Sequence, residues 1–251
     1  MNKQNISLLL ITKNESENIK KHLTWLNQCP IINEIVVVDD NSTDDTVKIL
    51  KGLKAKVFNR GLDNNFSAQR QFGISQTTNN LILWLDADEQ PSVKLIEFLN
   101  HIDTNRSINY AFKRTDFFLS HQLKHGETAS PYFLRLFDKH HGKFVGLVHE
   151  TWVSDLPSQN LDLEILHHSH LTLQSFFEKI NFYTDIRAQE LFNSKVHTNL
   201  FQIIFYPFAK FIHNYFLRLG FLDGTPGIIL TLGMSFHSFL VRSKLWRLQN
   251  P

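Results

Sequence analysis

Four short apolar runs mark out the first ninety residues: "ISLLLIT" from Ile6, "EIVVVDD" from Glu34, "KAKVFN" from Lys54 and "NLILWLDAD" from Asn80. An unbroken apolar run of this length, without alternation, is the pattern of a strand covered on both faces. The stretches between the runs are polar. Residues 15–29 predict a helix ended by Pro30. Asn41, Ser42 and Thr43 are helix-capping types, and "DDTVKIL" continues as a helix. "NNFSAQRQFGISQ" predicts a third helix. Strands alternating with helices imply an α/β chain with a mostly parallel sheet flanked by helices. Ligands of such sheets bind beyond the carboxyl ends of the strands, where residues 12–15, Asp39 with Asp40, and residues 86–89 all fall.

The pattern loosens after residue 105. "NYAFKRTDFFLS" and "PYFLRLFDK" read as antiparallel strands, and "GKFVGLVHETWV" as another with a bend at Gly146. A helix is expected from Leu171 to Asn193, and from Leu200 the chain turns strongly aromatic and aliphatic. The expected division is 1–105 for the ligand-binding half, 106–195 for the second half of the same domain, and 196–251 for an apolar helical extension.

With 251 residues, 42% of them hydrophobic, the chain can bury one large core with an appendage. A net charge of +2 implies no broad nucleic-acid surface. The single Cys29 rules out an internal disulfide and a cysteine-rich zinc site, and fits a reducing compartment. The N-terminal apolar run is too short for a signal peptide or a membrane span.

The chemistry gathers in "DADE". Asp86 and Asp88 are two apart, so in extended backbone they face the same way. Carboxylates that close raise each other's pKa unless a cation joins them. Mg²⁺ and Mn²⁺ take oxygen ligands and commonly share them between one or two carboxylates and substrate phosphates. Solvated acids at a polar strand end are the alternative for such a short motif. "VVVDDNSTDDT" adds weight on the same rim, since an acid there can accept from a ribose hydroxyl or a base N–H.

Taken in order and spacing, "ITKNESENI", "EIVVVDDNSTDDT", "SAQRQFGI" and "LILWLDADE" resemble the inverting family 2 glycosyltransferases, whose nucleotide-sugar-binding α/β fold is called type A. The later "FLRLFDKHHGKFVGLVHE", "HHSHLTLQSFFEKINFYT" and "GFLDGTPG" resemble a narrower branch, the bacterial lipopolysaccharide core β-glucosyltransferases. The resemblance implies a UDP-sugar donor and a divalent metal ion, Mn²⁺ or Mg²⁺. It implies a lipid-linked or lipopolysaccharide-core acceptor and a cytoplasmic enzyme peripheral at the inner face of the membrane. By the same resemblance Thr12, Asn14 and Glu15 line the nucleotide pocket, Asp40 contacts the uracil and Asp39 supports its loop. Arg70, with Gln69 beside it, reaches the diphosphate or the pocket wall, unless it is a helix-surface charge. Asp86 contacts the ribose and Asp88 holds the metal. Glu89 orients the sugar or caps the next helix.

An inverting transfer also needs a base on the acceptor side. Glu150 in "GLVHET" is favoured, with Glu127 and Asp116 next. The family more often has Asp at this place. The fold often supplies a late histidine to the metal, and His168 or His170 in "LHHSH" would fit.

The segment from Leu200 is interrupted by Pro207, Lys210, His213, Arg218, Asp223 and Pro226, so amphipathic helices in the membrane interface fit it better than a span. A helix pair packed on the domain or on a second subunit is the other reading. "FLDGTPG" reads as a turn. A non-catalytic sugar-nucleotide binder or membrane adaptor is the competing function. A receiver module would need its acidic pair at the first strand, and a nucleotidyltransferase would open with a glycine-rich loop that "LLITKNESEN" lacks.

Overall fold

The computed structural model describes residues 4–128, 132–147, 150–169 and 172–250. The chain forms two compact units, residues 1–114 with 132–167, and residues 115–131 with 168–251.

In the first unit β1 (Ile6–Thr12) pairs in parallel with β2 (Ile32–Asp39) and with β4 (Leu81–Asp86), and β2 pairs in parallel with β3 (Lys56–Asn59). The expected mostly parallel sheet is instead mixed. β4 pairs antiparallel with β8 (Tyr132–Asp138), β8 with β6 (Asn109–Phe118), and the three-residue β5 (Glu89–Pro91) with β11 (Ser158–Ser169). Among the described residues the sheet order is β3-β2-β1-β4-β8-β6-β11-β5, with β7 (His121–Gln122) beside β6. Parallel strands need a long crossover and antiparallel ones need only a turn. That difference follows the composition: helical stretches separate the strands from β1 to β4, and among the described residues no α-helix lies between the strands from β6 to β11.

β11 is not among the expected strands, although Leu161, Leu163 and Ile165 alternate with polar residues as in a half-covered strand. β9 (Gly142–Val145) and β10 (Thr151–Ser154) form a separate two-stranded ribbon. The bend expected at Gly146 is there, at φ +98°.

Side chains of β1 alternate between two cores, as the strand period requires. Leu8 and Leu10 join Leu50, Leu83, Leu95 and Leu99 on one face. Leu9 joins Val36, Ile82, Trp84 and Phe137 on the other. The first expected helix is shorter than its polar stretch: α1 (Ser16–His22) gives way to a 3₁₀ turn over Thr24–Gln28. α2 (Thr46–Gly52) starts later than Asn41–Thr43 suggested, because Ser42 bonds Asp39 rather than capping. α3 (Phe66–Ser75) is capped by Asn65, whose side chain accepts from Ala68 N at 2.9 Å. α4 (Val93–His101) is capped by Ser92, so Glu89 is not a cap.

In the second unit α5 (Leu173–Asn193) is followed by α6 (Leu200–Ile212) and α7 (Gly224–Gln249), and a π turn at His213–Leu217 and a 3₁₀ turn at Gly220–Asp223 join α6 to α7. Phe118, Leu123, Phe176 and Ile180 form its core. α7 packs against both α5 and α6.

Candidate active site

The parallel register brings the strand ends level. Thr12 lies opposite Asp39, and Ile11 opposite Asp86. One rim of the sheet therefore carries Thr12, Asp39 and Asp86.

Asp39 is consumed by its own loop. Its Oδ1 accepts from Thr12 Oγ1 at 2.8 Å and from Ser42 Oγ at 2.6 Å, and its Oδ2 accepts from Ser42 N at 2.8 Å. Asp40 accepts from Leu62 N at 2.9 Å and pairs with Lys13 Nζ at 2.7 Å. Asn14, at φ +54°, crosses to the same loop: its N donates to Ser42 Oγ and its Oδ1 accepts from Thr43 N, both at 2.8 Å. Glu15 N donates to Thr46 Oγ1 at 2.8 Å. Residues 12–15 and 39–46 are thus stitched into one rigid edge, with Asp40 and Lys13 set side by side as acceptor and donor.

Arg70 is buried, which removes the reading of it as a surface charge of α3. Its Nε donates to Glu150 Oε1, and its Nη2 pairs with Asp86 Oδ1 at 2.8 Å. One guanidinium therefore joins the strand-end carboxylate of β4 to the acid expected as base. Its carbon lies 4.0 Å from the Trp84 ring centroid, and that of Arg135 lies 3.7 Å from it. Arg135 Nη2 binds Glu89 Oε1 at 2.6 Å and reaches Asp86 Oδ2 at 3.5 Å. Glu89 is fully buried, and its second oxygen accepts from Asp86 N at 3.0 Å. Gln69, also buried, bonds Arg60 rather than facing the rim.

Burial works against the Asp86 charge, but Arg70 and Arg135 overcome both burial and nearby Asp88, and hold its carboxyl at about 2. Glu89 goes the other way. Burial and the Asp86 charge push it up, more than Arg135 and His167 pull it down. Two acids three residues apart thus have opposite proton affinities.

Asp88 Oδ2 lies 3.5 Å from His167 Nε2. His168, the next residue of β11, takes the other side of the strand, and its ring stacks on Phe117 at 4.8 Å. His170, the other histidine considered, and His149 lie outside the described residues. Among the described residues no three His, Cys, Asp or Glu side chains converge as a ready-made cation cage. A carboxylate and an imidazole on one spot fit a cation that takes its remaining ligands from a substrate's phosphates. Glu127, the second candidate base, is engaged in the second unit with Lys210 Nζ at 2.7 Å and Asn214 Nδ2 at 2.9 Å. Asp116, the third, is buried in that unit too.

Sequence reasoning missed Arg135, Trp84 and His167. A signal existed for Arg135. In "YFLRLF" it shares the inward register of Phe133 and Phe137, and a charge on an inward face needs a buried partner.

The profile of Glycosyl transferase family 2 matches residues 7–153. An uncharacterised glycosyltransferase of Rickettsia typhi is 28% identical across 96% of this chain and 86% of its own length. LpsC of Rhizobium meliloti, a lipopolysaccharide core biosynthesis glycosyltransferase, is 23% identical over 96% and 92%. The fold is shared with the mannosyltransferase PcManGT of Pyrobaculum calidifontis, solved with GDP-mannose and Mn²⁺, at a TM-score of 0.55 and 11% identity over 98% of this chain and 88% of that one. With that profile matching residues 7–153, the chain belongs to glycosyl transferase family 2 and is a glycosyltransferase.

Proposed function

We propose that the enzyme transfers a sugar, glucose in the first instance, from a UDP-sugar to a hydroxyl of a lipid-linked or lipopolysaccharide-core saccharide, with inversion and with a divalent cation, on a type A fold. One observation carries this reading. Arg70 holds Asp86 and Glu150 together, so the carboxylate expected at the nucleotide and the carboxylate expected at the acceptor share one positively charged hinge.

Asp40 and Lys13 offer an acceptor beside a donor, which suits the imide edge of uracil. Thr12, Asn14 and Glu15 line that edge, and Asp39 holds its loop. Asp86 takes the ribose, and Asp88 with a histidine takes Mn²⁺ or Mg²⁺; the geometry favours His167 over His168. When bound, such a cation offsets the charge that develops on a departing diphosphate. Glu150 accepts the proton of the acceptor hydroxyl while that oxygen bonds to the anomeric carbon. The bond from the anomeric carbon to the diphosphate oxygen breaks with its electron pair leaving on UDP. Arg70, reaching both carboxylates, sets the distance between these events. The lipopolysaccharide-core acceptor draws support from the near full-length similarity to LpsC. Membrane contact through α6 and α7 would bring the enzyme to a lipid-linked acceptor.

The test is calorimetric titration of UDP with Mn²⁺ and then with EDTA, on the protein and on Asp88→Asn. Affinity that needs both the metal and Asp88 supports the reading. UDP binding indifferent to metal removes the cation from it, and no UDP binding removes the donor.

A further inference from the structure

The C-terminal helices are inside out. α7 buries Gly227, Thr231, Gly233 and Ser235, with Val241 and Leu245 further along. It exposes Leu232, Phe236, Phe239 and Trp246, which share one side at helical spacing. The buried small residues are there for close approach. A Cβ on Gly233 would lie 2.3 Å from the Phe176 ring of α5, and one on Gly227 would lie 2.2 Å from Gly220 O. α6 buries no residue at all, and Leu200, Phe201, Ile204, Phe205 and Phe208 on one of its sides are 49–70% exposed. A helix in water puts its small polar residues outward and its aromatics inward. Helices that face hydrocarbon pack through small residues and turn their large apolar ones outward.

Charge says what covers this face. Residues 195–251 hold six Lys and Arg against one acid, Asp223. That acid is turned inward, pairing with His125 Nδ1 at 2.9 Å. Lys210 and Lys244 are paired with Glu127 and Asp185. Lys195, Arg218, Arg242 and Arg247 have no ion pair among the described residues. Arg242 lies 4.4 Å from the ring centroid of exposed Tyr206 on α6, which fixes a cation at the edge of the apolar face. An apolar face on a segment that carries these unpaired cations and no outward acid of its own matches an anionic bilayer.

The stretch Gly220–Gln249, α7 with the turn before it, is by length and composition long and apolar enough to cross a bilayer. Its neighbour decides against that. α5 runs along it, tied by Lys244 Nζ to Asn181 and Asp185, and carries Glu178, Lys179, Asp185, Arg187 and Glu190. Such a helix cannot enter hydrocarbon beside α7.

We propose that α6 and α7 are embedded as a hairpin in one leaflet of an anionic bilayer, with the outward faces of α6 and α7 among the acyl chains and α5 kept in water. This deepens the membrane contact of the preceding reading and is independent of the transfer chemistry.

The experiment uses the full chain with phosphatidylcholine vesicles, with and without phosphatidylglycerol, their acyl chains brominated. Trp246 is the exposed tryptophan, while Trp25, Trp84 and Trp152 are buried, so Trp246→Phe isolates its signal. Embedding predicts quenching of Trp246 that survives high salt. It also predicts a loss of partition greater than about a hundredfold when Phe201, Phe205 and Phe208 are changed together to Ser. These side chains are exposed in water, so the helix content of the variant should be retained. If the variant fails to fold, quenching in the parent protein still decides. Binding that salt reverses, without quenching, overturns the proposal in favour of headgroup contact alone. Self-association without vesicle binding overturns it in favour of a second copy of this chain. UDP titration of the same samples tests the transferase reading separately.

Discussion

Arg70 and Arg135 share one indole and one carboxylate yet do different work. Both are buried, but Arg70 connects Asp86 to Glu150, whereas Arg135 binds Glu89 closely and reaches Asp86 only at 3.5 Å. Removing one partner of a buried pair strands the other, so Arg135→Met should cost about 3–5 kcal/mol in urea unfolding. Pairing it with Glu89→Leu should restore much of that loss, because the double change leaves no stranded charge. A double variant no better than the single one would show that Arg135 is held by something other than Glu89. Glu150→Gln keeps the size of the side chain and much of its hold on Arg70 but loses basicity. UDP affinity should be unchanged while turnover drops about 10²–10⁴-fold, read by calorimetry beside a transfer assay. Normal turnover would remove Glu150 from the chemistry. At this scale the sequence was most legible where a residue ends a strand, as Asp39, Asp40 and Asp86 do. It was least legible for His167. The choice between neighbouring histidines depends on which face of β11 carries each, and β11 shows the other strand pattern, polar and apolar residues alternating in "SQNLDLEILHHS", which a reading of apolar runs passes over.

Elements set these residues in place. α3 delivers Arg70 because Gly73 lets the helix lie close on β1 and β2; a Cβ there would lie 2.4 Å from Leu9 Cδ1 and 3.0 Å from Val38 Cγ2. Gly73→Ala should destabilise the fold by about 1–3 kcal/mol in thermal or urea unfolding. It should also weaken UDP binding, since any shift of α3 moves Arg70. At the opposite ends of the strands Glu34 performs a structural task. It accepts from Ser7 of β1, from Lys56 Nζ of β3 at 2.5 Å, and from Thr78 N ahead of β4 at 2.8 Å. Burial opposes its charge, but these bonds overcome that and bring its carboxyl from 4.5 to about 2. The folded value is depressed, so its contribution is fully present above the unfolded value and is lost as pH falls from about 4.5 through about 2. Glu34→Gln should flatten the acid limb of a stability–pH curve over that window; an unchanged slope would assign the acid sensitivity elsewhere. Strand ends and parallel pairing could be read from apolar runs. The mixed sheet could be read only in part, because the three-residue β5 carries no periodicity and is formed by its partner β11.

Over the whole chain, the net charge of +2 hides a division. Residues 195–251 carry five more positive than negative side chains, so the remainder is net acidic. Composition alone therefore conceals a local cationic segment. Its aromatic content was legible as a membrane signal, but the inversion of α7 was not. Which side of a helix is buried depends on α5 lying along it. The division has a kinetic consequence. Cations act on an anionic surface across about a Debye length, roughly 8–10 Å at physiological salt, so they govern arrival. Apolar contact is made only on insertion, so it governs departure. Raising salt should slow association with phosphatidylglycerol vesicles and leave dissociation nearly constant. Arg242→Glu with Arg247→Glu should do the same at low salt. The Ser substitutions on α6 should instead speed dissociation and leave association little changed. Stopped-flow measurement on intact protein separates the two. If salt and the Arg changes alter dissociation as strongly as the Ser changes do, charge rather than insertion holds the enzyme on the surface.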